Sequence, residues 1–263
     1  SVSKLTQSRS AVKSIAQPFA SFDGRMAETA GMAFYVRVSE RLRHRDRALT
    51  VWDYEHLLLE RFDDLATVKC IPHTNYRVFP ASELAPGFVA VAVIPDLKKR
   101  TGTSRTQPRF PKGDLDGMRD YLNTKANLFL NEPVLDAFGN RVGDHKYLQV
   151  VNAQYEPIRI TVEVRFRQGI DEVFYKVQLS NDLKHYLSPW VADEQAMPVF
   201  GRTLRCSKIQ QFIEELPYID IIEFFEARKN NELLTEDILP GAAHGILTTA
   251  RIHRINGVDV IQN

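Results

Sequence analysis

The most regular hydrophobic pattern in the chain is an alternation over residues 158–166. Apolar residues occupy every second position there, with Arg, Thr and Glu between them. Because successive side chains of a strand point to opposite faces, this alternation predicts a strand with one buried and one exposed face. A second run, residues 88–94 (FVAVAVI), is apolar throughout. It predicts a central strand that is covered on both faces or paired deep in a sheet.

Spacings of three and four between apolar residues predict two consecutive helices before the first strand. The first helix covers residues 34–47, and its apolar positions share one face: Tyr35, Val38 and Leu42. The second helix begins after Thr50, whose hydroxyl can cap it while Asp53, three residues later, completes a capping box.

Three further helices are predicted farther along the chain. Residues 114–130 and 171–187 have helical spacing, and a short helix begins at Ser207, with Gln210 completing a capping box. In the helix at 171–187, four apolar residues are expected to face the core: Phe174, Val177, Leu183 and Leu187.

Shorter apolar runs predict the remaining strands, at residues 67–71, 147–151 and 219–225. A carboxy-terminal hairpin would pair residues 246–252 with 258–261 across Asn256-Gly257, a common pair in tight turns. The order of elements predicts an α+β fold of two consecutive small α/β sandwich modules, each a mixed sheet with helices on one face.

The same order divides the chain into four segments. They are an extended arm or linker (1–33), a first α+β module with the basic helix (34–154), a second α+β module (155–228) and a carboxy-terminal β extension with the hairpin (229–263). The break between modules is placed near residues 152–157, because Pro157 can begin a strand but not lie inside a central one. Since the chain has no initiating Met, we expect it to be the C-terminal portion of a longer polypeptide.

Composition excludes several classes of protein. The chain has 263 residues, 44% of them hydrophobic, which is enough for a sizeable core. Its 34 Lys and Arg residues balance 33 Asp and Glu residues, and a net charge of +1 argues against nucleic-acid or membrane binding by the whole surface. Two cysteines cannot form a disulfide framework, and no apolar run reaches the roughly 20 residues of a membrane helix.

Motifs of catalysis and phosphate binding are missing from the sequence, which contains no GxxxxGK[ST], GxGxxG, GxSxG or HExxH. A few groups have spacings that metal ligands, nucleophiles or acid–base pairs could use. They are Cys70 with His73, His56 with Glu60, Asp114 with Asp116 and Asp120, and the isolated Cys206. Each lacks the further ligands or partners that the chemistry needs. We therefore expect no catalytic residue, metal site or cofactor.

Five arginines are concentrated around the end of the first predicted helix: Arg37, Arg41, Arg43, Arg45 and Arg47. They could form a solvated helix face. They could also form a docking surface for an acidic partner, because Arg binds carboxylates through two parallel hydrogen bonds and is enriched in interface cores. Binding of nucleic acid is the least supported alternative, since no aromatic residues alternate with the arginines.

The segment RALTVWDYEHLLLERFDDLATVKCIPH, residues 47–73, resembles the signature of the baseplate J-like family of contractile tails. In that family a helix with A-x-T-x-x-D-Y-E leads into a strand with V-x-K-x-x-P. The matching residues are Ala48, Thr50, Asp53, Tyr54, Glu55, Val68, Lys69 and Pro72. Three later segments keep the family order: 88–96, 155–166 and 200–222. The resemblance covers about residues 30–228, and the stretch RVSERLRHRDRALT is similar to wedge subunits of contractile injection systems.

The resemblance implies a structural role without catalytic residues. Such a protein would build the baseplate wedge around the spike and hub, link it to the sheath, and contact copies of itself and other wedge subunits. It would assemble in the bacterial cytoplasm as part of a phage-tail-like particle, without nucleic acid or membrane insertion. The interface candidates are Arg37, Arg41, Arg43, Arg45, Arg47, Thr50, Asp53, Tyr54 and Glu55, although capping alone can explain Thr50 and Asp53.

Two other classes of function stay open. Two small α+β modules could act as tandem nucleic-acid-binding domains, which would need exposed aromatic residues on central strands. An enzyme of an unfamiliar type would need a polar pocket with two or more convergent titratable groups.

Overall fold

The computed structural model describes residues 14, 31–77, 82–100, 102–126, 131–135, 137–139, 141–234, 236–256 and 258–261. The chain divides into two compact units, Ser1–Arg43 and His44–Asn263. The predicted arm, residues 1–33, lies almost wholly outside the described residues. Helices and mixed sheets together confirm the predicted α+β class, whereas the two-module division stays a prediction.

The helices occur close to their predicted positions. They are α1 (Met32–His44), α2 (Val51–Arg61), α3 (Lys112–Lys125), α4 (Glu172–Leu187) and α5 (Cys206–Glu214). A short 3-10 helix, Pro189–Val191, follows α4. Within the described ranges, no helix combines the length and the apolar character that crossing a membrane requires.

The strands of the described residues form two larger sheets and two isolated pairs. They are β1 (Leu65–Pro72), β2 (Val89–Pro95), β3 (Asn131–Leu135), β4 (Arg141–Lys146), β5 (Leu148–Asn152), β6 (Gln154–Phe166), β7 (Leu204–Arg205), β8 (Ile219–Lys229), β9 (Glu232–Leu234), β10 (Asp237–Ile238), β11 (Gly245–Thr249), β12 (Ile252–Ile255) and β13 (Val258–Ile261). The isolated pairs are β3 with β4 and β7 with β10, both antiparallel.

The first sheet has the order β1-β2-β5, with β1 antiparallel and β5 parallel to β2. Residues 90–94 of β2 are fully buried, which confirms the predicted central strand. Helices α2 and α3 supply the core beside the sheet, chiefly through Leu57, Leu58, Met118 and Leu122. The first sheet therefore owes its core to two helices that pack on it.

The second sheet has the order β13-β12-β6-β8-β9, with β11 also beside β6. Both β11 and β12 run parallel to β6, and β8 is antiparallel on its other side. The even-numbered residues of 158–166 are buried and the odd-numbered ones face out, as the alternation predicts. Helices α4 and α5 pack on the buried face, and each large apolar side chain buried there stabilises the fold by about 1.5–3 kcal/mol.

Pro157 lies inside β6, so the prediction that it marks a strand start was wrong. Even-numbered residues of β6 bond towards β11 and β12, because the Gln154 N–H donates to His244 and the Ala250 N–H donates to Ile158. The nitrogen of Pro157 therefore faces the β8 side. Strand β8 ends at Lys229, opposite Ile158, so no strand there needs a donor from proline.

The buried face of α4 also differs from the prediction. Leu183 and Leu187 are buried as expected, together with Leu179, but Phe174 and Val177 are 59% and 51% exposed. The buried stripe is the one with a spacing of four that contains Tyr175, Leu179, Leu183 and Leu187, and Phe174 and Val177 lie off it. Asp171 caps this helix by accepting hydrogen bonds from the Val173 and Phe174 N–H groups.

Two predicted boundaries near the end of the chain were wrong. Helix α5 begins at Cys206, so Ser207 lies inside its first turn and makes no capping box. The helix starts early because Leu204–Arg205 pairs with β10 and the Cys206 N–H donates to Glu236. The carboxy-terminal hairpin pairs β12 with β13, whereas β11 is a separate strand that lies beside β6.

Candidate protein interface

Helix α1 leaves most of its large apolar side chains in solvent. Met32 is 80% exposed, Leu42 72% and Tyr35 63%, and Val36 and Val38 are also exposed. The predicted apolar face of Tyr35, Val38 and Leu42 therefore exists, and its side chains are exposed. Helices shorter than about 12–15 residues are marginal in water, and most helical stability comes from packing an apolar face. An α1 of 13 residues thus has the character of a helix that another surface stabilises.

The five predicted arginines do not all belong to α1. The helix ends at His44, so Arg45 and Arg47 lie in the turn that follows. Arg45 and Asp46 have positive φ angles of 49° and 59°, in the left-handed region. Four of the five are exposed and Arg37 is half-buried. The basic surface is thus split between the helix and its terminal turn.

His44 anchors this turn and was missed by the sequence analysis. It is 4% exposed, and its Nδ1 accepts a hydrogen bond of 2.9 Å from the Asp46 N–H. The neutral ring therefore carries its proton on Nε2, which lies 3.4 Å from Glu60 Oε2. That separation is an electrostatic contact, since it exceeds ordinary hydrogen-bond length. The position of His44, three residues before the end of the predicted helix, 34–47, carries no signal of this role.

Thr50 and Asp53 form the predicted capping box at the start of α2. Asp53 Oδ2 accepts hydrogen bonds from the N–H groups of Thr50 (2.8 Å) and Leu49 (3.1 Å), and the Asp53 N–H donates to Thr50 Oγ1. Burial by itself raises the Asp53 pKa, but these hydrogen bonds outweigh it, so the pKa lies below its ordinary value. Asp53 is 6% exposed, and its Oδ2 is occupied by hydrogen bonds within the chain.

Tyr54 and Glu55 hold α2 against the first sheet. Tyr54 is buried, and burial raises its pKa to about 12. Glu55 Oε1 accepts a hydrogen bond of 2.9 Å from the Cys70 N–H of β1. The structure thus gives a role within the chain to four predicted interface residues: Thr50, Asp53, Tyr54 and Glu55. Two of them, Asp53 and Tyr54, are buried.

The second half of the sequence signature, Val68, Lys69 and Pro72, also has a structural role. Val68 is in the core of the first sheet. Lys69 Nζ donates a hydrogen bond of 2.7 Å to the Ala243 carbonyl and lies 5.8 Å from the centre of the Phe200 ring. Pro72 ends β1, and its carbonyl accepts a hydrogen bond from Thr74. The signature thus covers α2 and β1, which contact each other through Glu55, and Lys69 of β1 also contacts Ala243 and Phe200, which are distant in sequence.

The remaining chemical candidates are also explained by packing or ion pairs. Burial raises the Cys70 pKa to about 12, and His73 lies in an exposed turn with a φ of 56°. His56 stacks on Trp52 with ring centres 3.9 Å apart. The acidic residues around α3 pair with arginine, Asp114 with Arg100 and Asp116 and Asp120 with Arg119. Within the described ranges, no group of three or more acidic, His or Cys residues could hold a metal ion.

A buried polar network beside β6 contains Ser188, Thr248, Thr249 and His253. His253 Nδ1 accepts from the Ile160 N–H at 3.1 Å, so Nε2 carries the proton and donates to Thr249 Oγ1 at 2.9 Å. The Thr249 N–H donates to Ser188 Oγ at 2.8 Å. Burial lowers the His253 pKa to about 4. With Nδ1 occupied and Nε2 protonated, this histidine cannot accept a proton from a hydroxyl, and the network is structural.

Comparison with known proteins places these features in a family. No curated protein matches the chain. The fold is similar to that of a chain in the cryo-EM structure of the anti-feeding prophage (AFP) baseplate, 6-fold symmetrised, with a TM-score of 0.55 and 19% identity. The match covers 94% of this chain and 47% of that one, so this chain spans about half its length. The sequence model of the family described as "Baseplate protein PVC11-like" matches residues 1–238, and the chain therefore belongs to that family of baseplate proteins.

Proposed function

We propose that this baseplate protein is a structural wedge component of a contractile injection system. In this role it assembles around the spike and hub, links them to the sheath, and contacts copies of itself and other baseplate subunits. Membership of the baseplate family supports the proposal, and so does the fold likeness to a chain of the AFP baseplate. Assembly in the bacterial cytoplasm is part of the proposal, as is the narrower kinship with baseplate J-like proteins.

The exposed apolar face of α1 is the observation that carries the proposal. Its large side chains gain about 25 cal/mol for each Å² that a partner removes from water. An exposed apolar stripe on a helix marks a protein–protein contact more often than a scattered set of apolar residues does. The face that sequence periodicity predicted is therefore completed by another subunit.

The arginines around the end of α1 give this contact its charge preference. Arg41, Arg43 and Arg47 are exposed, and their planar guanidinium groups can bind carboxylates of a neighbouring subunit through paired hydrogen bonds. Asp53 and Tyr54 are removed from the proposed interface because they are buried. Thr50 and Glu55 keep their structural hydrogen bonds and add little to it.

Charge reversal tests this proposal. A variant with Arg41→Glu, Arg43→Glu and Arg47→Glu replaces the wild-type chain in cells that produce the particle, and intact baseplates are counted by negative-stain electron microscopy. We expect the variant chain to fold, as circular dichroism would show, and baseplate assembly to fall at least tenfold. Unchanged assembly would remove the arginines from the interface.

A matched control carries the same change of charge elsewhere on the surface. It consists of Lys98→Glu, Lys208→Glu and Arg251→Glu, all at exposed positions. We expect it to assemble like the wild type. If both variants fail equally, net charge rather than the α1 surface would be responsible.

A nucleic-acid-binding role is the alternative, and one observation bears on it. Phe224 on β8 is 45% exposed on the open face of the second sheet, as such a role requires of an aromatic residue. Its cross-strand neighbour is Glu163, and two arginines in the described part of that face are paired, Arg165 with Asp220 and Arg228 with Glu226. These carboxylates oppose a phosphate backbone. Binding of single-stranded oligonucleotides at physiological salt would favour the alternative.

A further inference from the structure

A groove of about 450 Å³ follows β5 at the outer edge of the first sheet. One wall is α3, which contributes Lys112, Leu115 and Arg119, and the opposite wall contains Arg77. Val150 of β5 lies at its floor. A strand edge that is flanked by a helix is a geometry in which proteins bind extended peptides by adding a strand.

The floor of this groove has free hydrogen-bonding capacity. The Val89 N–H donates to the Tyr147 carbonyl at 2.8 Å, and the Ala153 N–H donates to the Val93 carbonyl at 3.3 Å. Because backbone groups of a strand alternate in direction, odd-numbered residues of β5 bond to β2. The N–H and C=O of Val150 therefore point away from β2 and into the groove. Among the described residues, no strand pairs with that side of β5.

The surroundings of β5 keep this edge in place. Gln149 accepts a hydrogen bond of 3.0 Å from the Tyr76 N–H and so fixes the wall that contains Arg77. Asn152 exchanges two hydrogen bonds with the backbone of Phe110, 2.7 Å and 2.9 Å long, which closes one end of the edge. At the opposite edge of the sheet, Glu55 occupies the Cys70 N–H. The two edges are thus treated differently, and β5 is the one prepared for an added strand.

The charges of the groove select the partner. Arg77 and Lys112 are exposed, and neither forms an ion pair with any other described residue. The carboxylate of Asp116, which also lines the groove, is already paired with Arg119. Leu115 and Val150 are half-buried and offer apolar contacts. The best fit is an extended segment in which acidic side chains alternate with apolar ones.

We propose that the groove between α3 and β5 binds an extended, acidic segment of another protein subunit as an additional β-strand. Main-chain hydrogen bonds to Val150 would hold the segment, and Arg77 and Lys112 would select its carboxylates. The proposal adds a partner surface to the proposed baseplate role and rests on it only for the source of the segment, because the groove itself belongs to this chain.

Panning a phage-displayed library of random decapeptides against the full chain tests the proposal. We expect enriched sequences that alternate Asp or Glu with apolar residues. A synthetic enriched peptide should bind the wild type in fluorescence anisotropy and bind Val150→Pro at least tenfold more weakly. Proline removes only the outward N–H at this position, so the hydrogen bonds between β2 and β5 are retained.

A second pair of variants keeps the test decisive if Val150→Pro does not fold. The double variant Arg77→Glu with Lys112→Glu changes two exposed side chains, and we expect at least a tenfold loss of peptide affinity. The control, Lys98→Glu with Arg251→Glu, makes the same change of charge elsewhere and should bind like the wild type.

Several results would overturn the proposal. They are no enrichment, enrichment of basic or helix-forming peptides, and peptide binding that the groove variants leave unchanged. A dimer of this chain that Val150→Pro abolishes would also overturn it, because the occupant would then be a second copy. Peptide binding by a chain that is not incorporated into particles would support the groove and refute the wedge role. Incorporation into particles without peptide binding would support the wedge role and refute the groove.

Discussion

The buried histidine beside β6 makes the stability of the chain depend on pH. His253 has no exposed surface, and both ring nitrogens are used in hydrogen bonds that require the neutral ring. Burial, with a smaller contribution from the charge of Arg159, lowers its pKa from 6.5 to about 4. His253 therefore binds a proton less readily in the folded protein than in the unfolded chain.

The size and sign of the effect follow from linkage. Between pH 6.5 and 4 the unfolded chain is protonated at His253 and the folded chain is not, so stability is complete above pH 6.5 and is lost as the pH falls towards 4. The free energy of unfolding falls by about 2 kcal/mol between pH 7.5 and pH 5.0 from this residue alone. Burial also lowers the pKa of His244, which adds a loss of the same sign.

The substitution His253→Asn tests this reasoning. Asn keeps an oxygen that can accept the hydrogen bond from the Ile160 N–H, but the hydrogen bond from His253 Nε2 to Thr249 is lost, so we expect the variant to be less stable at pH 7.5. Because Asn does not titrate, we also expect its stability to be less sensitive to acid. Urea unfolding, followed by circular dichroism at pH 7.5 and 5.0, gives both free energies. The wild type should lose about 2 kcal/mol more than the variant between the two pH values. Equal losses would mean that His253 is not held neutral in the fold.

Three further substitutions test local features by urea unfolding. Thr50→Ala removes the cap of α2 and should cost about 1 kcal/mol, and a neutral result would contradict the capping box. Leu183→Ala should cost about 2–5 kcal/mol of stability because Leu183 is buried, and Val177→Ala less than about 0.5 kcal/mol because Val177 is exposed. Similar costs for the two variants would refute the assignment of the buried face of α4. Gly245→Ala should cost about 1–3 kcal/mol of stability, because the new Cβ would lie 2.6 Å from Pro240 Cβ. Gly113→Ala, whose Cβ would enter open space, should be neutral or stabilising. The opposite order of stabilities would contradict the packing of β11.

Local patterns predicted the elements whose environment is set by their own residues. The alternation of residues 158–166 became β6, and the capping box at Thr50 became the start of α2, because both depend on neighbours within a few positions. The boundary at Ser207 was wrong since β7 pairs with a strand more than 30 residues later, which no local signal shows. Periodicity therefore identifies an element more surely than its ends.

The candidate interface shows the same limit. Periodicity predicted the apolar face of α1, but it could not indicate whether that face meets the chain's own core or another subunit. The edge of β5 depends on parallel pairing with β2, across more than 50 residues, and the pairing leaves no mark in either segment. The burial of His253 depends likewise on which strands meet, so it could not be recognised from spacing.

Electron cryomicroscopy of purified particles tests the baseplate role most directly. If the chain is a structural wedge component, its two sheets will fit density in the baseplate, and the apolar face of α1 will lie against a neighbouring subunit. A complete baseplate whose density has no place for this chain would contradict that role.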